Sequence, residues 1–305
     1  MAGTRMAAGM GIRTDMPLLP PAHAQTEFAL TRQADPWSAE SGEKVGMRGF
    51  GAAEEILAVR PPHPNPLPGG ERGSDSVSTH ALTRLLAWLS PSFPVGGFSY
   101  SHGIEAAVEQ GLVRDRATMI VWLDGILRHG AGRTDGMLFA AAHRAVLAGD
   151  EAAFAWAVER ADILRASSET ALESRAQGQA FLLAIRAAWP LDELPRWDAV
   201  IASTGRPVAY AVAVALVSAL IGVAEGPALT AYLHAFAANL VSAGVRLVPL
   251  GQTDGQRALA ALDPITHSAA EAALAAPLDD LGGRAMAVDW TSMIHETQYT
   301  RLFRS

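Results

Sequence analysis

The stretch PVAYAVAVALVSALIGVAEGPALTAYLHAFAANLVSAGV, Pro207 to Val245, carries one formal charge, Glu225, and it governs how the rest of the chain is arranged. Its first part, Val208 to Ala224, is uncharged throughout. A membrane-spanning helix needs about 20 predominantly apolar residues. This run is shorter, rich in Ala, and contains Ser218 and Gly222 before the Gly226-Pro227 break. It reads as two buried helices, roughly Val208 to Val223 and Ala228 to Val245, with a membrane hairpin as the alternative. A helix without a polar face needs other helices around it.

Those other helices are written on both sides. From Ala81, Leu82, Leu85, Leu86 and Leu89 recur at spacings of three and four until Ser90-Pro91 ends the run. Arg116 to His129 puts Ile120, Leu123, Ile126 and Leu127 on one face. Thr134 to Leu147 and Glu151 to Leu164 read as two more, parted by Ala148-Gly149-Asp150 with Asp150 as N-cap. Ser167 to Ala188 opens on serines and Glu169 and stops before Trp189-Pro190. Gln256 to Leu262, His267 to Ala275 and Asp289 to Phe303 complete the set, separated by Pro264, Pro277 and Gly282-Gly283. No alternating run bounded by hairpin turns is present, so the fold class is all-α: about ten helices in one domain over residues 77–305.

Residues 1–76 differ. PPHPNPLPGGERGS, Pro61 to Ser74, removes backbone donors and imposes extended, solvated chain, which predicts a disordered extension. The PHPNPLPGGERG string also resembles the translated product of an interspersed DNA repeat, which points to a true start near residue 80.

Several function classes fall away. With a net charge of -7 and no Lys/Arg cluster, nucleic acid is not an expected partner. The absence of cysteine excludes disulfides and thiolate chemistry and suits a reducing cytoplasm. No phosphate-cradling GxxxxGK[ST] loop occurs, so the chain itself is not expected to hydrolyse nucleotide. Gly97-Phe98-Ser99-Tyr100-Ser101 approaches the GxSxG nucleophile elbow but ends in Ser and lacks a preceding strand, leaving Ser99 with His102 or His295 a weak catalytic candidate. His295-Glu296 opens like HExxH, yet Tyr299 stands where the second ligand belongs. The nine histidines are scattered, so spacing specifies no metal site and no cofactor. The chain does not read as an enzyme.

Three polar, glycine-bearing segments remain. SPSFPVGGFSYSHGIE, Ser90 to Glu105, has two prolines and two adjacent glycines that shape a rigid knuckle presenting Phe98 and Tyr100. VPLGQTDGQ, Val248 to Gln256, reads as a corner in which Asp254 caps a helix starting near Gly255. HETQYTRLFRS, His295 to Ser305, places Tyr299, Leu302 and Phe303 at helical spacing beside Arg301 and Arg304, a mixture typical of binding hot spots.

Together with ETALESRAQGQAF, Glu169 to Phe181, these segments resemble the UreF family of urease accessory proteins, in order and spacing, over about Thr83 to Ser305. The resemblance implies an all-α homodimer that binds a second accessory protein, UreD (UreH), recruits the GTPase UreG and delivers nickel to apo-urease. It carries UreG recruitment onto an aromatic in the FPxG knuckle and the Arg of the YxRL element, here Phe98 and Arg301, with Tyr100, Tyr299, Leu302 and Phe303 beside them. Relatives can carry Tyr where this chain has Phe98, which removes a hydroxyl that Tyr100 could supply. The family's dimer contact matches Ala228 to Val241, with Tyr232, Leu233, His234 and Phe236 as contact residues. Ordering a tail of about 10 residues costs on the order of 10 kcal/mol, so the expectation is a tail that orders when UreD binds. An arginine-finger role for Arg301 in UreG's GTP hydrolysis is the alternative function.

Overall fold

The computed structural model describes residues 78–305. The expectations for residues 1–76 lie outside it. The described residues form α1 (Thr79–Trp88), α2 (Ile104–Glu109), α3 (Arg116–Arg128), α4 (Ala131–Ala148), α5 (Glu151–Ile163), α6 (Ser168–Ala188), α7 (Leu194–Ser203), α8 (Tyr210–Leu220), α9 (Glu225–Leu247), α10 (Gln252–Ala275) and α11 (Met286–His295), with no strand among them.

Helix α8 is the axis. Every residue from Ala211 to Ala219 is buried, enclosed by α4, α5, α6 and α9. Its alternating Ala and Val side chains are short, so its neighbours come close. The closest approach is at Gly178 of α6, where an added Cβ would sit 2.3 Å from the Val208 carbonyl oxygen. An aromatic chain then ties the layers: Phe181 of α6 meets Tyr210 at 5.7 Å, Tyr210 meets Tyr232 of α9 at 5.6 Å, and Tyr232 meets Phe139 of α4 at 5.7 Å. The Tyr232 hydroxyl donates to Asp135 (3.1 Å), which pairs with Arg165 at 2.8 Å. Helix α9 is long and apolar enough to cross a membrane by length and composition; here its inward face, with Leu229, Leu233 and Leu240, is core.

Local signals explain several helix starts. Asp150 caps α5 through the Ala153 N–H, Ser167 caps α6 through the Thr170 N–H, and Asp115 caps α3 through the Thr118 N–H. Three expectations need correction. Pro264 does not divide two helices: α10 runs through it, because packing along α9, α3 and α4 offsets the missing N–H. Asp254 lies in the first turn of α10 and receives Arg116 of α3 at 2.7 Å, a tie between helices where a cap was expected. The last helix stops at His295 and does not reach Phe303.

Helix α7 carries its own signal in the sequence. Leu194, Trp197 and Val200 recur every third residue, with Pro195 in the first turn, and Trp197 packs edge-on to Phe154 at 4.9 Å.

Two predictions follow from this core. Gly178→Ala forces backbone apart at 2.3 Å and should cost roughly 3 kcal/mol or more in urea denaturation, whereas Gly125→Ala, with nothing within 4 Å, should be neutral or stabilising by up to about 1 kcal/mol. The second concerns His143, fully buried, whose Nε2 donates to the Val223 carbonyl at 2.9 Å and whose Nδ1 has no partner. Burial holds this imidazole below its ordinary value. The unfolded chain therefore binds a proton below about pH 6.5 that the folded chain refuses, and stability present above that pH is lost as pH falls toward the folded value. The thermal midpoint of His143→Gln should fall less steeply below pH 6.5 than that of the unsubstituted chain.

Candidate functional site

The knuckle is built where Phe93 packs on Phe181 of α6 at 5.4 Å and Gly96, at φ 70°, opens a single 3-10 turn over Gly97–Ser99. Two donors from the C-terminal half of α9 hold this turn: Asn239 Nδ2 to the Gly97 carbonyl (2.9 Å) and Arg246 Nη2 to the Phe98 carbonyl (2.8 Å). Held by its backbone, Phe98 keeps its ring in solvent, 69% exposed. Tyr100 does the opposite. It is buried, so it supports the knuckle from within and presents no hydroxyl to a partner. No strand leads into Ser99, so the elbow geometry is absent.

Gly103, at φ 79°, turns the chain into α2 with its backbone against α11; a Cβ there would meet Ser292 N at 2.8 Å. The turn places Glu105 beside the segment that follows α11. That segment is not helical. The Leu302 N–H donates to Glu105 Oε1 (2.6 Å) and the Phe303 N–H to Oε2 (2.9 Å). The Arg304 N–H donates to the Ser99 carbonyl (2.9 Å) and the Ser101 N–H to the Ser305 carbonyl (2.8 Å). Ser305 is buried, and its hydroxyl donates to Glu173 (3.0 Å), which also takes His102 Nδ1 (3.2 Å). The tail is thus ordered by contacts within its own chain, where ordering by a partner was expected.

His295, fully buried, stands between Glu169 (Nδ1, 2.5 Å) and Glu105 (Nε2, 3.2 Å). Arg301 completes the cluster through Glu169 at 2.5 Å, keeping 38% of its side chain exposed. The Ser168 N–H and hydroxyl bind Glu296 at 2.7 and 2.8 Å and hold its carboxyl below the usual range. Two buried acids, Glu105 and Glu173, and the half-buried Glu169 therefore meet Arg301, His295 and His102 beneath the tail.

Phe303 is buried, and the Arg246 guanidinium covers its ring at 4.4 Å while lying 5.9 Å from the ring of Phe98. One residue of α9 therefore joins knuckle and tail. What remains at the surface is Phe98, the fully exposed Tyr299, Arg301 and Leu302, while α11 presents Met286, Trp290 and Met293 outward at helical spacing. Among the described residues no group of three or more His, Asp or Glu side chains is placed to hold a metal ion.

A family model described as UreF matches residues 113–263. Curated proteins named urease accessory protein UreF align over 225 residues, 74% of this chain. That of Rhodopseudomonas palustris strain HaA2 is 54% identical with 94% of its length covered, and that of strain BisB5 is 53% identical with 91% covered. That of Bradyrhizobium diazoefficiens strain USDA 110 is 49% identical with 92% covered. The chain belongs to the UreF family.

The family-model match covers α3 to the first half of α10 and leaves the knuckle and tail outside it. Of the residues expected at a dimer contact, Tyr232 and Leu233 lie in this chain's own core because they sit on the inward side of α9. His234 is exposed, and Phe236 is half-buried against His102 at 5.4 Å. Sequence reasoning missed Arg246, Asn239, Glu105, Glu169 and Glu173. A signal existed for Glu105: one acid inside GIEAAV, a segment otherwise fit for burial.

Arg246→Ala should loosen the knuckle and the tail together. The lost carbonyl bond and cation–π contact should cost about 1 to 2 kcal/mol in chemical denaturation, with faster amide exchange at Tyr100 and Arg304, whose N–H groups bond within this surface. Arg246→Lys should recover only part of the loss.

Proposed function

We propose that this chain is a non-catalytic platform of the urease maturation machinery. As a cytoplasmic homodimer it binds UreD (UreH) and, through that complex, recruits the GTPase UreG for nickel insertion into apo-urease, with no cofactor of its own. The observation that carries this reading is the joined surface of knuckle and tail. Phe98 stands in solvent on backbone clamped by Asn239 and Arg246, and the tail that carries Arg301 returns to the same α9 residue through the Arg246–Phe303 stack. An exposed aromatic and an arginine held on rigid backbone lose little entropy on binding.

The apolar stripe of α11, Met286, Trp290 and Met293, leads directly into the tail and suits the contact with UreD, since it is large, outward and unpaired within this chain. For the homodimer, the outward side of α9 replaces the residues that turn inward. His234 with the small Ala231, Ala235 and Ala238 leaves room for a second α9 to approach closely.

A direct part for Arg301 in GTP hydrolysis requires it to leave Glu169, so the platform reading is preferred. Single-turnover GTP hydrolysis by UreG should be unchanged by this protein. Arg301→Ala should abolish co-purification of UreG with the UreF–UreD complex while leaving UreD bound; retention of UreG at the unsubstituted level overturns the reading.

A further inference from the structure

Sulfur chemistry in this chain belongs to methionine alone, because it has nine methionines and no cysteine. Met119, Met137, Met286 and Met293 lie among the described residues, and the fold sorts them into two kinds. Met119 and Met137 are core, 0% and 1% exposed, and a Cβ added to Gly244 of α9 would sit 2.3 Å from the Met119 sulfur. Met286 and Met293 are 82% and 49% exposed, to either side of the exposed Trp290 on one face of α11. A thioether in solvent meets dissolved oxidants, whereas one enclosed by helices is shielded from them. Both exposed sulfurs therefore fall on the stripe that the platform reading gives to UreD.

We propose that Met286 and Met293 form a reversible oxidation site that controls the UreD contact, with hydrogen peroxide as the oxidant. A sulfur lone pair attacks one peroxide oxygen and the O–O bond breaks. That oxygen stays on sulfur as the sulfoxide and the other leaves as water, so the thioether loses two electrons and the peroxide gains two. Methionine sulfoxide reductase reverses the step: two thiols become a disulfide and the oxygen leaves as water. The inference rests on the platform reading and adds a control to one of its contacts.

A thioether offers flexible apolar surface that fits an uneven partner. A sulfoxide carries a polar S–O group, and an apolar interface strips its water without supplying hydrogen bonds. The cost falls on the bound state, since both side chains keep their water in the free chain. One sulfoxide buried in this way should weaken binding about tenfold. The bundle stays intact, because the sulfurs that α3 and α4 place in the core, those of Met119 and Met137, are out of reach.

The test treats the full chain alone with hydrogen peroxide, removes the peroxide with catalase, maps the oxidised peptides by mass spectrometry and titrates the protein with UreD. Met286 and Met293 should each gain one oxygen at least about ten times as fast as Met119 and Met137. Affinity for UreD should fall about tenfold or more and return after treatment with both sulfoxide reductases and dithiothreitol. In a Met286→Leu, Met293→Leu double variant the affinities before and after peroxide should be equal, whatever the starting value. That comparison separates these two sulfurs from the methionines of residues 1–76. Equal oxidation rates at all four mapped sulfurs, sulfoxide at Met286 and Met293 with undiminished affinity, or a loss that persists in the double variant would each overturn the inference. Trp290→Ala examines the contact by itself and should weaken UreD binding without peroxide. Undiminished binding by Trp290→Ala counts against the place given to UreD and removes the control with it; weakened binding there beside an unaffected oxidised chain sinks the oxidation site alone.

Discussion

An eleven-residue helix whose polar side-chain atoms are only those of Tyr210 and Ser218 can persist in water only if other helices enclose it, and α8 is so enclosed. That requirement sets much of what surrounds it. The neighbours must approach closely, because Ala and Val offer little side chain to bridge a gap, and close packing is what replaces lost hydration. Gly178 exists at the point of nearest approach, and the Phe181, Tyr210, Tyr232 and Phe139 rings fill the wider spaces beside it. Charged groups enter this interior paired, as where Asp135 meets Arg165 and the Tyr232 hydroxyl, or where Asp162 receives Arg175 and Arg206 at its margin, whereas the Ser218 hydroxyl and His143 Nδ1 have no partner.

The rigid interior gives the polar edge something to be built on. Helix α9 is core on one side, and from its C-terminal half Asn239 and Arg246 reach out to grip the knuckle. Helices α2, α6 and α11 converge beside it and contribute Glu105, Glu169, Glu173 and His295, joined by His102 from the turn before α2. These groups are expensive to bury unless mutually paired, and their pairing leaves carboxylate oxygens directed at the backbone of the returning tail. A surface made of loop and chain end is thereby given the order of a helix bundle.

The residue pattern exposed most of the bundle. Leucine and isoleucine spacing marked α1 and α3, and Ser, Asp and Gly marked the ends of α4, α5 and α6, because caps and periodicity act within a few residues. Local rules misled where long-range packing outweighed them. Pro264 sits inside α10, since contacts along α9, α3 and α4 offset one lost hydrogen bond, and the helical spacing of Tyr299, Leu302 and Phe303 gave way to the acceptors offered by Glu105.

By itself the sequence determined the all-helical class, the buried pair of apolar helices, the exposed Phe98 on its knuckle and, through four short segments, the UreF family, because each rests on signals between near neighbours in the chain. Only the tertiary structure decided which way each side chain turns: Tyr100, Tyr232, Leu233 and Phe303 inward, Tyr299 and Leu302 outward. The reason is that the tail's partners, Glu105, Glu169 and Glu173, lie more than a hundred residues away from it, and a contact at that separation is set by how the helices pack and leaves no period to read.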